Sequence, residues 1–390
     1  MQVGKVGTLL VNNVRKTIYH GQLRLMSSNT VVKSLLYKEY GEPAEVIQMT
    51  TDSLASPGDN QVAVKWLYSP VNPADINTIQ GKYPSKPPLP AVPGNEAVGE
   101  VVAVGPNTKD LCIGDRVVPN GLNKGTWRTH AIYKSQEMIK IKKEMDTVEA
   151  SMLNVNPCTA YRMLKDFIPL KTGDTVIQNG SNSAVGQMVI QLCKIWGIKS
   201  VNIVRNRSDV QSLKDQLMAL GASVVLTEEE LRTTDIFKSK KLPKPLLAFN
   251  CVCGKNALEV QRHLGNGGIM VTYGAMSREP LTIPASSLIF KDVSFKGFWM
   301  SAWTIKNAES AERHKMYDEL QALFVEKKLQ APPHQLVPFN EYQEAVNNTL
   351  TPGGQKNVKY ILDLTKDYYE IISKRKSKNF KISAYDCFQA

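Results

Sequence analysis

Short runs of β-type residues alternate with helical segments between residues 174 and 300. The segment after the first run carries apolar residues at helical spacing, including Val185, Met188, Val189 and Leu192. Because strands that alternate with helices are joined by crossovers over the faces of a sheet, this stretch predicts an α/β, doubly wound parallel sheet. The predicted strands are TVIQN (175–179), SVNIVR (200–205), SVVLT (223–227), LLAFNCV (246–252), IMVTYG (269–274) and VSFKGFWM (293–300).

Residues 32–153 show a different pattern, in which short strands are separated by Gly, Pro, Asn and Asp turns. This pattern predicts a β-rich domain, and a chain of 390 residues is long enough for two domains. After residue 305 a charged helix and the run VKYILDL (358–364) predict a return to the β-rich domain. No run approaches the roughly 20 apolar residues that a membrane span requires, so none is expected.

The net charge of +12 is concentrated at the two ends of the chain. Residues 1–37 contain five basic side chains and no acidic ones, whereas residues 366–390 contain six basic and three acidic ones. The composition of the first segment predicts a mitochondrial transit peptide, residues 1–27; a disordered basic arm is the alternative. The six cysteines are scattered, which favours free thiols in a reducing compartment.

The first strand-to-helix turn of the alternating segment is a candidate dinucleotide site. Its sequence, NGSNSAVG (179–186), departs from G-x-G-x-x-G but precedes a helix whose N-terminus favours a pyrophosphate. At the end of the second strand, Arg205, Asn206 and Arg207 replace the acid that an NAD site expects. Guanidinium groups bind phosphate, so these residues favour NADPH; a solvated basic loop is the alternative.

Dehydrogenases with two domains of this kind often bind a catalytic zinc through Cys and His in the β-rich domain. No Cys or His occurs between residues 21 and 111, and no cluster of four closely spaced cysteines exists elsewhere. The sequence therefore predicts a protein without a metal site.

Several segments together resemble the mitochondrial trans-2-enoyl-CoA (enoyl thioester) reductases, which belong to the zinc-free, quinone oxidoreductase-like medium-chain dehydrogenases/reductases. They are PVNPADIN (70–77), IQGKYP (79–84), GNE (94–96), GTWRT (125–129), NPCTAYRML (156–164) and FW (298–299). The resemblance runs from about residue 35 to 364. The chain differs in Ala184, where some relatives carry Gly, and in a longer basic tail.

The resemblance implies a GroES-like catalytic domain and a Rossmann cofactor domain. The implied domains are residues 28–155 for the first part of the catalytic domain, 156–305 for the NADPH-binding domain, 306–365 for the return and 366–390 for the tail. It also implies NADPH-dependent reduction of enoyl-CoA or enoyl-acyl-carrier protein in the mitochondrial matrix, for fatty acid synthesis, by a homodimer. The implied cofactor contacts are Asn156, Asn182, Ser183, Ala184, Val185, Arg205, Asn206, Arg207, Tyr273, Gly274, Ala275, Met276, Phe298, Trp299, Met300, Ser301 and Lys359.

The resemblance places the catalytic tyrosine at Tyr83. Hydride addition at C3 of an enoyl thioester leaves an enolate that needs a proton at C2, and a phenol with a pKa of about 10 is suited to supply it. The alternative is that Tyr83 only packs or positions substrate. Asn72, Asp75 and Asn77 either orient Tyr83 and substrate or form a loop that holds its own backbone.

Four aromatic side chains and one thiol have both a functional and a structural interpretation. The aromatics are candidates for an acyl pocket, although such residues near strand ends usually pack in the core. Cys158 is a weak candidate nucleophile, because no histidine is near it in sequence. The four aromatics are Trp127, Phe298, Trp299 and Trp303.

Two other functions remain open from the residues alone. An NADPH-dependent quinone or enone reductase would share the fold, the cofactor turn and the lack of zinc. A factor that binds nucleic acid or protein through its basic ends is a different class, and the single short basic run in the tail argues against it. No nucleic acid is therefore expected as a partner.

Overall fold

The structure, a computed structural model, describes residues 30–350 and 358–366. The predicted transit peptide, residues 1–27, lies outside the described residues, and so do residues 367–390 of the predicted tail. Of the helices within the described ranges, none is both long enough and apolar enough to cross a bilayer.

The N-terminal half forms the β-rich part of the molecule. Strands β1 and β2 form a two-stranded sheet. Strands β3 to β7 belong to a seven-stranded sheet, which two strands from the end of the chain complete; β3 lies near its centre and also pairs with β6. The strands are β1 (Val31–Tyr37), β2 (Ile47–Ser53), β3 (Gln61–Pro70), β4 (Val98–Val104), β5 (Arg116–Pro119), β6 (His130–Lys134) and β7 (Met138–Lys140). The helices are α1 (Pro43–Val46), α2 (Pro73–Ile79) and α3 (Thr147–Ser151).

A six-stranded parallel sheet follows, as the alternating pattern predicted. Its strands are β8 (Thr175–Gln178), β9 (Lys199–Val204), β10 (Val224–Thr227), β11 (Leu247–Asn250), β12 (Ile269–Thr272) and β13 (Ser294–Gly297). The spatial order is β10-β9-β8-β11-β12-β13, which is the order of a Rossmann sheet. Successive strands are added on one side of β8 up to β10 and on its other side from β11 onward, so the order reverses between β8 and β11. Both faces of β8 and β11 are buried, because helices cover both sides of the sheet.

The helices of the second half connect and cover the parallel strands. They are α4 (Asn156–Asp166), α5 (Ala184–Ile195), α6 (Val210–Leu220), α7 (Glu228–Thr233), α8 (Gly254–Arg262), α9 (Ala285–Ile289), α10 (Met300–Lys306) and α11 (Ala311–Val325). Most of the predicted apolar stripe on α5 is buried, with Met188, Val189 and Leu192 in one core. The predicted Rossmann architecture is therefore confirmed.

The chain then returns to the first sheet through β14 (His334–Pro338), α12 (Tyr342–Thr349) and β15 (Lys359–Asp363). The last strand pairs with β3, and β14 extends the sheet beyond it. This GroES-like β-rich sheet and the Rossmann sheet are not packed independently. One apolar core contains Val98 and Val118 from the first sheet, Cys158 and Leu164 from α4, and Phe324 from α11. The two sheets are therefore held in a fixed relation by shared side-chain packing.

Candidate active site

A cavity of about 570 Å³ lies between the two sheets, where loops from the β-rich half face the carboxyl ends of the parallel strands. Ligands of doubly wound sheets bind at this edge. The cavity brings together most of the predicted site residues from six separate segments. Those that line it are Tyr83, Asn156, Ser183, Ala184, Val185, Tyr273, Gly274, Ala275, Met276, Phe298, Trp299, Met300, Ser301 and Lys359.

The turn between β8 and α5 has the geometry of a dinucleotide-binding turn. Ser183 caps the helix, and its hydroxyl oxygen accepts a hydrogen bond from the Gly186 backbone N–H at 3.1 Å. A Cβ at Gly186 would lie 2.6 Å from the Ser181 carbonyl oxygen, so the helix can approach the turn this closely only with glycine there. The N-terminus of α5 therefore lies at the edge of the cavity, where an anionic pyrophosphate is favoured.

Two buried asparagines fix the turn at the point where the strand order reverses. The Asn179 amide donates to the Asn250 side-chain oxygen at 2.8 Å, and its own oxygen accepts from the Cys251 N–H at 2.8 Å. These bonds join the ends of β8 and β11, which carry the loops on either side of the crevice. The two sides of the crevice are therefore joined by hydrogen bonds made within the protein.

Two polar atoms of the cavity wall are buried without a hydrogen-bond partner. They are the amide nitrogen of Asn156, at the start of α4, and the hydroxyl oxygen of Tyr273, after β12. An unpartnered buried donor is costly, so these atoms fit a site that a polar cofactor completes.

Arg205, Asn206 and Arg207 follow β9 and are not among the side chains that line the cavity. The side chain of Arg207 lies 2.7 Å from Asp209 as an ion pair, and Arg205 is exposed. Asn182 also lies outside the lining, although it is in the turn itself. The arginines thus stand beyond the enclosed part of the crevice, at the carboxyl end of the neighbouring strand.

Tyr83 is held by the backbone that precedes it. Its N–H donates to the Asn77 carbonyl at 3.1 Å, at the end of α2. Its hydroxyl oxygen accepts a hydrogen bond from the Trp299 indole N–H at 2.7 Å, and the two rings lie nearly perpendicular with centroids 5.8 Å apart. Burial raises the pKa of the Tyr83 phenol, and the hydrogen bonds from Trp299 and Ser301 oppose that rise. The phenol is therefore protonated at neutral pH.

A buried polar network lies beneath α2. The Glu96 carboxylate accepts from the Asn72 amide at 2.9 Å and from the Val155 backbone N–H at 2.8 Å. The Lys359 ammonium donates to the Asn72 side-chain oxygen. Burial raises the pKa of Glu96 to about 7 and lowers the pKa of Lys359. The Glu96 side chain thus links the loop before α2 to the backbone just before α4.

The Asp75 side chain holds backbone, which agrees with one of the two interpretations of this loop, whereas Asn77 contacts the Tyr83 N–H through its own backbone carbonyl. The Asp75 carboxylate accepts from the Asn72 N–H and from the Asn95 amide, both at 2.9 Å. The Asn72 side chain instead bonds Glu96 and Lys359, which the local sequence did not indicate. Glu96 was visible only as part of the GNE segment, since a single buried acid on a loop has no periodic signal.

The aromatic and thiol candidates divide between the cavity and the core. Phe298 and Trp299 line the cavity, whereas Trp127 is fully buried in the β-rich core. Trp303 packs under the Arg162 guanidinium, 4.4 Å from the ring centroid. Burial raises the pKa of the Cys158 thiol, which donates to the Leu153 carbonyl, so this residue is structural.

Within residues 30–350 and 358–366, no group of three or more His, Cys, Asp or Glu side chains is arranged to hold a metal ion. The five cysteines of these ranges are free.

The sequence matches two family models. The alcohol dehydrogenase GroES-like domain matches residues 58–143, and the zinc-binding dehydrogenase family matches residues 184–320.

One known protein and two solved structures are similar to this chain along most of its length. A Rattus norvegicus protein named mitochondrial enoyl-acyl-carrier-protein reductase is 47% identical over 324 residues, covering 82% of this chain and 86% of that protein. The structure of Etr1p with NADP and crotonyl-CoA gives a TM-score of 0.79 at 33% identity, covering 86% of this chain and 100% of the other. The mitochondrial 2-enoyl thioester reductase Etr1p/Etr2p heterodimer from Candida tropicalis gives 0.80, with the same identity and coverage.

Substitution of Glu96 by Gln tests the buried network. The folded protein holds a proton on Glu96 up to a pKa of about 7, whereas the ordinary value is 4.5, so wild-type stability falls as pH rises between these values. The Gln variant should lack this component, which is on the order of 1–3 kcal/mol. Urea unfolding at pH 5 and pH 8 measures it.

The matched control is Glu100→Gln, which changes an exposed acid on β4 and should leave the wild-type pH dependence intact. Parallel stability profiles for wild type and Glu96→Gln would show that Glu96 does not titrate in this range.

Proposed function

The chain belongs to the mitochondrial enoyl-acyl-carrier-protein reductases, and we propose that it catalyses NADPH-dependent reduction of trans-2-enoyl thioesters to saturated acyl thioesters. The observation that carries this proposal is the position of Tyr83. Its hydroxyl, bonded to Trp299, lies in the same cavity as the dinucleotide turn of the parallel sheet. The residues on both sides of one cavity thus supply a proton donor and a cofactor site.

NADPH fits the described residues. The turn at 182–185 and the N-terminus of α5 would hold the pyrophosphate. Asn156 and Tyr273 would contact NADPH through their unpartnered polar atoms. Arg205 and Arg207 would bind the 2′-phosphate of the adenosine ribose, because a guanidinium matches a phosphate and the acid expected for NAD is absent. Gly274, Ala275, Met276, Met300, Ser301 and Lys359 complete the proposed cofactor contacts. When bound, NADPH supplies the hydride that adds to C3 of the enoyl group.

Tyr83 is the proposed proton donor. Addition at C3 leaves the electron pair of the alkene as an enolate, and the Tyr83 O–H gives its proton to C2. Because Trp299 donates to the tyrosine oxygen, the phenol hydrogen remains available for the substrate. The same indole N–H stabilises the phenolate until solvent returns a proton.

The substrates proposed are enoyl-CoA and enoyl-acyl-carrier protein, in mitochondrial fatty acid synthesis. Etr1p has been solved with crotonyl-CoA, and the rat relative is named for the carrier protein. The acid-free N-terminal segment and the mitochondrial relatives support a mitochondrial location, and we place the protein in the matrix. Protection of the imported chain from protease after rupture of the outer membrane tests this.

A homodimer is proposed through the free edge of the parallel sheet. The strand β13 is the last in the order and pairs only with β12 among the described strands. Beside it, Leu288, Ile289 and Phe290 expose 51%, 71% and 77% of their surface. Exposed apolar residues and an open strand edge are both typical of protein interfaces, and here they are close in sequence.

Replacement of Tyr83 by Phe should lower kcat about 10²- to 10⁴-fold with crotonyl-CoA, the range expected for loss of a general acid. NADPH affinity should be unchanged, because the aromatic ring remains. NADPH oxidation at 340 nm and fluorescence titration measure the two quantities.

The control is Tyr40→Phe, which removes the hydroxyl that donates to the Pro87 carbonyl at 2.8 Å outside the cavity. Turnover that survives in Tyr83→Phe removes Tyr83 from the chemistry. A wild-type protein that reduces quinones or simple enones but no thioester supports the rival function instead.

The double change Arg205→Ala, Arg207→Ala should raise KM for NADPH about 10- to 100-fold while leaving KM for NADH nearly unchanged, since NADH lacks the 2′-phosphate. Initial rates with each cofactor measure this. Arg232→Ala on α7 is the control for lost surface charge. Equal effects on both cofactors would place the arginines outside the phosphate site.

Phe290→Lys should convert the protein from a dimer to a monomer, because a charge would be buried without a partner in the apolar interface. Light scattering after size exclusion gives the mass. Val31→Lys, an exposed apolar position on β1, is the matched control. A wild-type monomer, or a Phe290→Lys dimer, contradicts the proposed interface.

A further inference from the structure

Arg313 lies in the first turn of α11 and exposes only 3% of its surface. Its backbone N–H bonds the Ser310 hydroxyl that caps this helix, at 3.2 Å. One terminal nitrogen, Nη1, donates to the Ala308 carbonyl at 2.8 Å. The other two nitrogens, Nε and Nη2, are buried and have no hydrogen-bond partner. No Asp or Glu oxygen of the described ranges lies within 4.0 Å of the guanidinium.

The guanidinium forms part of the cavity wall, and that wall contains other polar side chains. They include Thr159 on α4, Thr304 on α10 and Tyr317 one turn along α11. The Tyr317 hydroxyl donates its hydrogen to the Asn154 side-chain oxygen at 2.9 Å, which leaves the phenol oxygen to face the guanidinium; burial raises the pKa of Tyr317, and Arg313 opposes that rise. The guanidinium stands 5.5 Å from the Tyr317 ring centroid. This part of the cavity therefore presents a guanidinium that has a neutral phenol beside it and, within the described ranges, no carboxylate partner.

An arginine does not escape burial by losing its proton. A buried cation without a counter-charge is strongly disfavoured, and the residue would be expected to turn towards solvent if nothing balanced it. The unpartnered pair is also specific in shape. Nε and Nη2 form one edge of the guanidinium, and two parallel N–H groups on one edge match the two oxygens of a carboxylate.

Arg313 and Tyr83 line the same cavity. Helix α10 starts next to Trp299, which bonds Tyr83, and both Ser301 and Thr304 on it line the cavity. Its seven residues rise about 10 Å along the axis, and Arg313 follows the end of that helix. An acyl chain with its reacting carbons at Tyr83 would therefore occupy the cavity whose wall includes Thr304 and the guanidinium.

We propose that this end of the cavity is a carboxylate-binding subsite for the far end of the acyl group. The enzyme would then accept 2-enoyl thioesters whose chain ends in a carboxylate as well as those that end in a methyl group. This inference rests on the proposed reduction of enoyl thioesters, because that function sets which ligand enters the cavity. Arg313 binds the carboxylate, and Thr304 and Thr159 supply polar surroundings for it.

The test compares two CoA thioesters of equal length, roughly eight carbons to match the rise of α10. One chain ends in a methyl group and the other in a carboxylate. The measured quantity is the ratio of their kcat/KM values, carboxylate over methyl, within each protein. Since both substrates carry the same CoA, contacts of its phosphates cancel from the ratio.

In the wild-type enzyme the ratio should be about 10 or more, since a charge-assisted hydrogen-bonded pair forms with the carboxylate. In Arg313→Met it should fall at least about 100-fold, because the carboxylate would then be buried without a partner. The change should appear in KM rather than in kcat. Arg313→Lys keeps the charge but not the paired edge, so its ratio should lie between the two.

Arg162→Met is the control, because that arginine on α4 already pairs with Asp166 and its loss should leave the ratio unchanged. If Arg313→Met does not fold, the wild-type ratio and the Lys variant decide. A wild-type ratio below 1, or an equal ratio in wild type and Arg313→Met, overturns the subsite. If wild type reduces crotonyl-CoA and the methyl-ended chain but not the carboxylate, only the subsite fails. If it reduces none of these thioesters, the proposed function fails, and the subsite fails with it.

Discussion

The Glu96 carboxylate is the contact on which the site geometry depends. It lies fully buried between the two sheets and accepts from the Asn72 amide on one side and the Val155 N–H on the other. These bonds set the loop before α2, and through it the segment that holds Tyr83, relative to the start of α4. A carboxylate in such a position is tolerated only when its oxygens are bonded, so the segments around it have little freedom to move.

Other buried polar atoms of the site have no hydrogen-bond partner, in contrast to the Glu96 oxygens. Asn156, Tyr273 and Arg313 each place a buried polar atom in the cavity wall without a partner. In the network around Glu96 every bond is made inside the protein, whereas these atoms require a ligand to complete them. The bonded network holds the surrounding loops in place, and the unpartnered atoms are those that we propose to contact the cofactor and the substrate. The two sets meet along α4, which begins at Asn156 directly after the Val155 bond.

Much of the fold could be predicted because its signals are local and repeated. The alternation of strands and helices predicted each of the six parallel strands to within a few residues, since an apolar run and its flanking turn are contiguous in sequence. The Ser183 cap and the close approach at Gly186 also follow from neighbouring residues. The departure from the usual glycine pattern in this turn left only its place after the first strand as a guide.

The sequence by itself determined the two architectures, and it predicted Arg205 and Arg207 as phosphate ligands and, through its resemblance to known reductases, Tyr83 as the proton donor. Tertiary structure alone decided which buried polar side chains have hydrogen-bond partners. Asn72 and Lys359 are 287 positions apart and share a hydrogen bond, and Trp299 reaches Tyr83 across 216 positions. The burial of Glu96 and the isolation of Arg313 likewise arise only when distant segments pack together. Periodicity reports which face of an element is apolar, but whether a buried charge finds a partner depends on non-local contacts that leave no periodic trace.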